Sequence, residues 1–532
     1  MTMKIKASKY KNTRASAHSL KKHSSQLQGL SKLIEKGNQL MGNEDFESAS
    51  KMYAKVLEAQ PSNYVALSNL GAALIRLGRI YEAKCILEYA IELNPKDVNA
   101  RLNMGAIYQA TKDFQGGLKN AIDAVATIPT SALAFNNLGC AFGSINMLNE
   151  ALHAYQTAQI LDPDHFEASL NVGMTQSELG DTHGALKTYS ELLSRIPTNK
   201  REIRDVVKFY SSFEYLRLGN LKIGWDLYEA GFNPMLPAGR TPRRTFSMPQ
   251  WNGENLKGKK LLIWREQGIG DELLFSSCLV DLIGSETSIV FECSSRLVKT
   301  YQRSFPGFHV RPEPIIESDR YKNSLENYDF HIPLGSLPKI LRPNIQDFKK
   351  QRPFISIDSY SKSYYADRLK SYASKKLVGI CWRSGLLDPL RNRHYSSLVD
   401  WGEILKLDDC VFVNLQYGDC EQEIREAEAA FGVKIIRWDD LDLKNDFDEV
   451  FSLISCLDAV VSAPTTVSSL SGSLDIPTML VSKSISWDAL GVKDGFYPWY
   501  KNTIISHDPD GKFASNALQS VPGFLKNLPS KF

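Results

Sequence analysis

The 532-residue sequence predicts an α + α/β chain: an all-α solenoid of repeats followed by a two-lobed α/β domain. Three observations predict it. Prolines recur every 34 residues through the first half, at Pro61, Pro95, Pro129, Pro163 and Pro197. From Lys259 onward, apolar runs of strand length alternate with helical patterns, and after a polar stretch near 343–373 the alternation restarts. The length itself exceeds what one core holds, so two or three domains are expected.

The repeat is carried by more than proline. Gly37, Gly71, Gly105, Gly139 and Gly173 keep the same period, as do Ala49, Ala83, Gly117, Ala151 and Ala185. A small residue in each of two helices lets their backbones approach, and the proline stops the second helix. This is the signature of tetratricopeptide (TPR) repeats, with a degenerate sixth unit at about 200–231. The solenoid is placed at 29–231. It follows a leader, 1–28, that is expected to be disordered, and Lys and Arg outnumber acids there because no acid precedes Glu35.

A further column, Asn69, Asn103, Asn137 and Asn171, falls two residues before each repeat glycine, on the helix that lines the concave groove. Carboxamides donate and accept, so a row of them suits the backbone of an extended peptide. The column resembles the asparagine ladder of the O-GlcNAc transferases, and asparagine is also common here in TPR proteins of every function.

Segment 232–256, with Pro234, Pro237, Pro242 and several arginines, reads as a linker. Strands are expected at 259–264, 287–293 and 331–334 in a first lobe (257–355). In a second lobe with its tail (356–532) they are expected at 376–382, 410–416, 433–438, 458–463 and 478–481. Ligands of such sheets bind beyond the carboxyl ends of the strands, so the strand-to-helix turns carry the chemistry.

The first turn is LIWREQGIGDELLF, 262–275. Gly268 and Gly270 allow a ligand close to backbone N–H groups at a helix start. Asp271 and Glu272 follow, and the plain reading of Glu272 is a first-turn acid favoured by the helix dipole. The G-x-G lacks the third glycine of a dinucleotide fingerprint. In the second lobe Ser384 and Gly385 follow a strand and could offer donors at the turn, and Arg391 and Arg393 could neutralise a diphosphate. Ser462–Leu470 is rich in hydroxyls, among them Thr465, Thr466 and Ser468, that could cap a helix or bind phosphate. Together the turns favour a cleft for a nucleotide diphosphate.

Composition excludes several classes. Hydrophobic residues make up 43% and charged residues 23%, the balance of a soluble globular protein. No apolar run reaches the roughly 20 residues of a membrane span. Eight scattered cysteines without metal spacing suit a reducing cytoplasm and suggest neither a disulfide framework nor a metal site. Outside the leader the chain is not basic enough for nucleic acid.

The blocks GKKLLIWREQGIGDELLFSSCL, VGICWRSG with RNRHY, and DFDEVFSLISCLDAVVSAPTTVSSLSGSLDIPTMLV resemble the heptosyltransferase-like glycosyltransferases of GT-B fold. They are similar in particular to bacterial TPR proteins that carry such a domain at the C-terminus, as are GWDLYEAGF and YPWY. The resemblance implies a metal-independent transfer of a sugar from a nucleotide-sugar co-substrate to an acceptor hydroxyl, with no cofactor. It implies Asp271 as general base and Arg393 and the hydroxyls of Thr465, Thr466 and Ser468 on the donor phosphates. The TPR groove implies a protein acceptor with Ser/Thr nucleophiles, flagellin-like surface proteins among them. A saccharide acceptor and a non-catalytic adaptor with a degenerate transferase domain are the alternatives. Where the family reads Val-Asp-Thr-x-x-x-His-Leu, this chain has Pro464 for the acid and Ser469 for the histidine, which puts the usual donor contacts or activity itself in question.

Overall fold

A computed structural model describes residues 28–236, 239–314, 327–385, 394–493, 495–508 and 514–528. The basic leader, apart from its last residue, lies outside them. The chain divides into two compact units, Met1–Val172 and Gly173–Phe532.

The first unit is built of antiparallel helix pairs. Helix α1 covers 28–42. Then come α2 (Phe46–Ala59), α3 (Tyr64–Arg76), α4 (Ile80–Leu93), α5 (Val98–Ala110), α6 (Phe114–Thr127), α7 (Ala132–Ser144) and α8 (Leu148–Leu161), and α9 (Phe166–Glu178) begins here. Pro61, Pro95, Pro129 and Pro163 each sit two residues past a helix end, where a missing N–H costs no ladder bond. Polar caps start the next helices: Asn63 accepts from the Ala66 N–H and Asp113 from the Gly116 N–H. The turn inside each pair needs a left-handed residue, and the positions 34 apart supply it: Glu44, Gly78, Lys112, Asn146 and, in the second unit, Gly180 all have positive φ. The repeat glycines seat large side chains. A Cβ on Gly37 would come within 2.5 Å of Tyr53, on Gly71 within 2.5 Å of Leu87, and on Gly139 within 2.5 Å of Tyr155.

The second unit opens with α10 (Thr182–Arg195), α11 (Arg201–Arg217) and α12 (Leu221–Tyr228) and continues into two parallel sheets. The first sheet orders its strands β3-β2-β1-β4, from β1 (Lys260–Trp264), β2 (Ser288–Cys293), β3 (His309–Pro312) and β4 (Phe330–Pro333). The second orders them β10-β9-β8-β5-β6-β7, from β5 (Lys376–Cys381), β6 (Cys410–Asn414), β7 (Ile435–Ile436), β8 (Ala459–Ser462), β9 (Thr478–Ser482) and β10 (Thr503–His507). Every pairing is parallel. Such strands are covered on both faces and therefore read as continuous apolar runs. Leu261, Leu262 and Ile263 are accordingly fully buried.

Two sequence expectations change. The helical pair read as the end of the solenoid packs as part of the second unit. Trp225 of α12 meets Phe275, Trp487 and Trp499 edge-on, with centroids 6.2–6.4 Å apart. GWDLYEAGF and YPWY thus belong to one aromatic core. Segment 232–256 is no free spacer either: the side chains of Arg240 and Arg244 are buried and paired with Glu266 and Glu292. A buried guanidinium needs such partners, and the pairs strap the segment to the first sheet.

Candidate functional site

The turn after β1 is held before it reaches the cleft. Gln267 has φ of 63° without being glycine. Its N–H donates to the Thr241 carbonyl at 2.7 Å and its Nε2 to the Tyr228 hydroxyl at 2.5 Å. Gly268 then caps α13 (Ile269–Ser276) in an extended conformation, and neither Gly268 nor Gly270 has positive φ. A Cβ would fit at both: its nearest neighbour would be Asp271 Oδ2 at 3.5 Å at Gly268, and Thr466 Oγ1 at 3.7 Å at Gly270. The backbone does not demand glycine here. What the missing side chains leave is room at the mouth of a cleft.

That cleft encloses about 520 Å³. The turns after β1 and β8 line it with Gly268, Gly270, Asp271, Thr465, Thr466 and Ser468, and Ser384 joins them from the turn after β5. Residues distant in sequence thus line one cleft. Arg391 and Arg393 lie outside the described residues. No group of three or more His, Cys, Asp or Glu that could hold a metal ion occurs among the described residues.

Asp271 stands in the first turn of α13 with its pKa raised to about 6. Burial is the main cause, and the charges of Glu266 and Asp488 add to it, while the Gly268 N–H opposes it. Glu272 does something other than complement a dipole. It is fully buried, accepts from Arg265 Nε at 2.6 Å and from the Ser294 N–H at 3.0 Å, and burial raises its pKa to about 7. It ties the turn after β1 to the turn after β2.

The second-lobe hydroxyls are not equivalent. Helix α14 (Thr466–Ser473) starts at the cleft, and Thr465 caps it by accepting from the Val467 N–H. Ser468 Oγ donates back to the Thr465 carbonyl at 2.7 Å. The Thr466 hydroxyl makes no hydrogen bond among the described residues and faces the cleft. Of the three it is the one free to meet a ligand. Pro464 is exposed on the cleft wall, and Ser469 Oγ lies 3.5 Å from the Gly270 carbonyl.

Sequence reasoning passed over several lining residues. Asp488 faces the cleft, accepts from the Tyr497 hydroxyl at 2.6 Å, and has its pKa raised by burial. Arg296 and Lys444 bring positive charge from the two lobes, with Arg296 Nη1 donating to the Lys444 carbonyl at 2.9 Å. No local motif marks these positions. Their strand-end location after β2 and β7 was the available signal. Two Asp-x-Asp triplets near the cleft, 440–442 and 446–448, have their acids occupied elsewhere: Asp440 by Arg368, Asp442 by Asn445 and Lys444, Asp446 as a helix cap and Asp448 by Thr300.

In the first unit the four asparagines stand on α3, α5, α7 and α9. Three spend an amide N–H on the preceding repeat: Asn69 on Asn38 Oδ1 and Asn171 on Asn136 Oδ1, each at 3.0 Å, and Asn103 on the Ser68 carbonyl at 3.4 Å. The Asn137 side chain makes no hydrogen bond among the described residues.

Comparison with known proteins agrees with the helical half. The tetratricopeptide repeat family model matches residues 34–83. The N-terminal helices are tetratricopeptide repeats. Protein FlbA of Caulobacter vibrioides is 29% identical over 474 residues, covering 86% of this chain and 77% of that protein. An alignment of that length reaches well into the second unit. A STIP1 homolog of Dictyostelium discoideum is 32% identical over 90 residues, 16% of either chain. Among solved structures, a thermophilic TPR protein of Thermus thermophilus is 17% identical with a TM-score of 0.31, covering 34% of this chain and 98% of that one. The TPR repeats make protein binding the coarse function of the first half.

Proposed function

We propose that the second unit is a GT-B-type glycosyltransferase that moves a sugar from a nucleotide-activated donor to an acceptor hydroxyl, with the repeats holding a protein acceptor. One observation carries the reading: a carboxylate with pKa near 6 shares a cleft with the N-terminus of α14 and with cations from both lobes. Asp271 is largely ionised at neutral pH yet basic enough to take a proton. It removes the proton of the acceptor hydroxyl as that oxygen bonds to the anomeric carbon. The bond from that carbon to the phosphate oxygen breaks, and the nucleotide diphosphate leaves with the electron pair. The growing charge is met by the α14 N–H groups, the Thr466 hydroxyl, Ser384, Arg296 and Lys444, together with Arg391 and Arg393.

The experiment is release of nucleotide diphosphate from a panel of nucleotide-sugars, alongside calorimetric binding of the nucleotide diphosphate. Asp271→Asn should lower turnover at least ~100-fold and leave binding intact. Unchanged turnover in Asp271→Asn sinks the base assignment, and absence of binding to any nucleotide diphosphate sinks the reading.

A further inference from the structure

Sixteen residues after each repeat glycine stands the side chain that packs on it: Tyr53 on Gly37, Leu87 on Gly71, Tyr155 on Gly139 and Tyr189 on Gly173. In the third repeat that position is Ala121. The consequence is local. Gly105 has nothing within 4 Å of where a Cβ would stand, and it is partly exposed while the other four glycines are buried. The space is a pocket of about 200 Å³ among α5, α6 and α7, lined by Leu102, Tyr108, Phe114 and Cys140, with Asp113 and Asn137 among its polar groups.

We propose that this pocket anchors one bulky aromatic or aliphatic side chain of an extended partner polypeptide. Size supports it. Small-molecule sites run from roughly 300 to 1,000 Å³, whereas a cavity of about 150 Å³ already admits a benzene ring. Shape supports it too, because the other repeats fill the corresponding place with tyrosine or leucine from this chain. The missing content of the third repeat is a side chain of that class. Polarity adds the rest: Asn137, the one asparagine of the column without a hydrogen bond among the described residues, lines the same pocket. Its carboxamide can pair with a backbone amide beside the anchored side chain. Three other repeats spend that amide internally, so the third pocket is the place where a peptide is gripped both by side chain and by backbone.

The inference stands apart from sugar transfer, and so does its test. A displayed library of random dodecapeptides is selected against the full-length chain. Enriched peptides are then measured against the wild type and against Ala121→Tyr and Ala121→Leu, which restore what the neighbouring repeats carry. The expected result is a shared bulky apolar residue whose replacement by alanine weakens binding about 10- to 100-fold, the equivalent of one buried side chain. Both variants should lose binding by a similar factor, with helical circular dichroism retained and the unfolding midpoint unchanged or raised. Enriched peptides that bind the variants as well as the wild type would overturn the proposal, as would no enrichment at all. A lowered midpoint in both variants would overturn it as well, since the space would then be needed by the fold.

Discussion

Replacing Asp271 by asparagine should stabilise the second unit, and by an amount that depends on pH in a defined way. The carboxyl titrates near 3.8 when solvated and near 6 in the folded cleft, because burial and the charges of Glu266 and Asp488 disfavour its ionised form. Tyr497 also faces it and, kept neutral by burial, adds no charge. The folded state therefore holds this proton more tightly than the unfolded chain does. Stability falls as pH rises between 3.8 and about 6, and the loss above that range corresponds to about 3 kcal/mol. Asparagine does not titrate and keeps nearly the same shape. Relative to wild type, Asp271→Asn should be more stable by only about 0.5 kcal/mol at pH 4 and by about 3 kcal/mol above pH 7. All eight tryptophans lie after residue 172, so urea unfolding followed by tryptophan emission reports this unit alone. Glu272 titrates in both proteins and cancels in the difference. A gain of the same size at pH 4 and pH 7.5, or none at either, would refute the claim that Asp271 is ionised at a cost inside the cleft.

Other perturbations test other parts of the structure. Lys112→Gly, at a left-handed turn residue with φ of 58°, should raise the stability of the first unit by about 0.5–1 kcal/mol, read by circular dichroism. Arg240→Met leaves Glu266 buried without its guanidinium and should cost about 3–5 kcal/mol in urea unfolding of the second unit. Thr466→Val should weaken nucleotide diphosphate binding about tenfold by calorimetry, the worth of one hydrogen bond to a charged group. A chain starting at residue 173 should give a folded, monomeric second unit in gel filtration. One starting at 232 should aggregate, because Phe275, Trp487 and Trp499 lose Trp225.

What was legible in the sequence was what local chemistry determines. Period 34 in proline and glycine located the helix pairs because each marks a backbone event, a helix stop or a close approach. Strands buried on both faces announced themselves as LLIW, IVFEC and LVGIC. Strands β3 and β10 were missed because each lies at a sheet edge, where a sequence such as His309–Pro312 needs no apolar run. Asp488 was missed because its place depends on a loop that returns to the cleft after β9, with Tyr497 fixing it from nine residues away. The Ala121 gap was hidden for the opposite reason. It is a missing side chain in a column that no proline or glycine marks, and its meaning comes only from the packing of the other repeats.

The two glycines of the first turn show how strongly the remaining structure conditions that turn. Neither has a left-handed backbone and neither is crowded, so their absence of side chains is not what folds the turn. Folding is enforced from behind it. Gln267 is held in a left-handed conformation by Thr241 and Tyr228, Glu266 is clamped by Arg240, and Glu272 by Arg265 and Ser294. Tyr228 belongs to α12, the last helix with a repeat-like partner. The helix pair that ends the repeats thus orients the carboxylate in the cleft through one glutamine and one aromatic core. A division of labour that places the repeats only as a partner-binding attachment misses this. The degenerate sixth pair was free to lose the repeat pattern because its inner face packs on the α/β unit rather than on a following repeat.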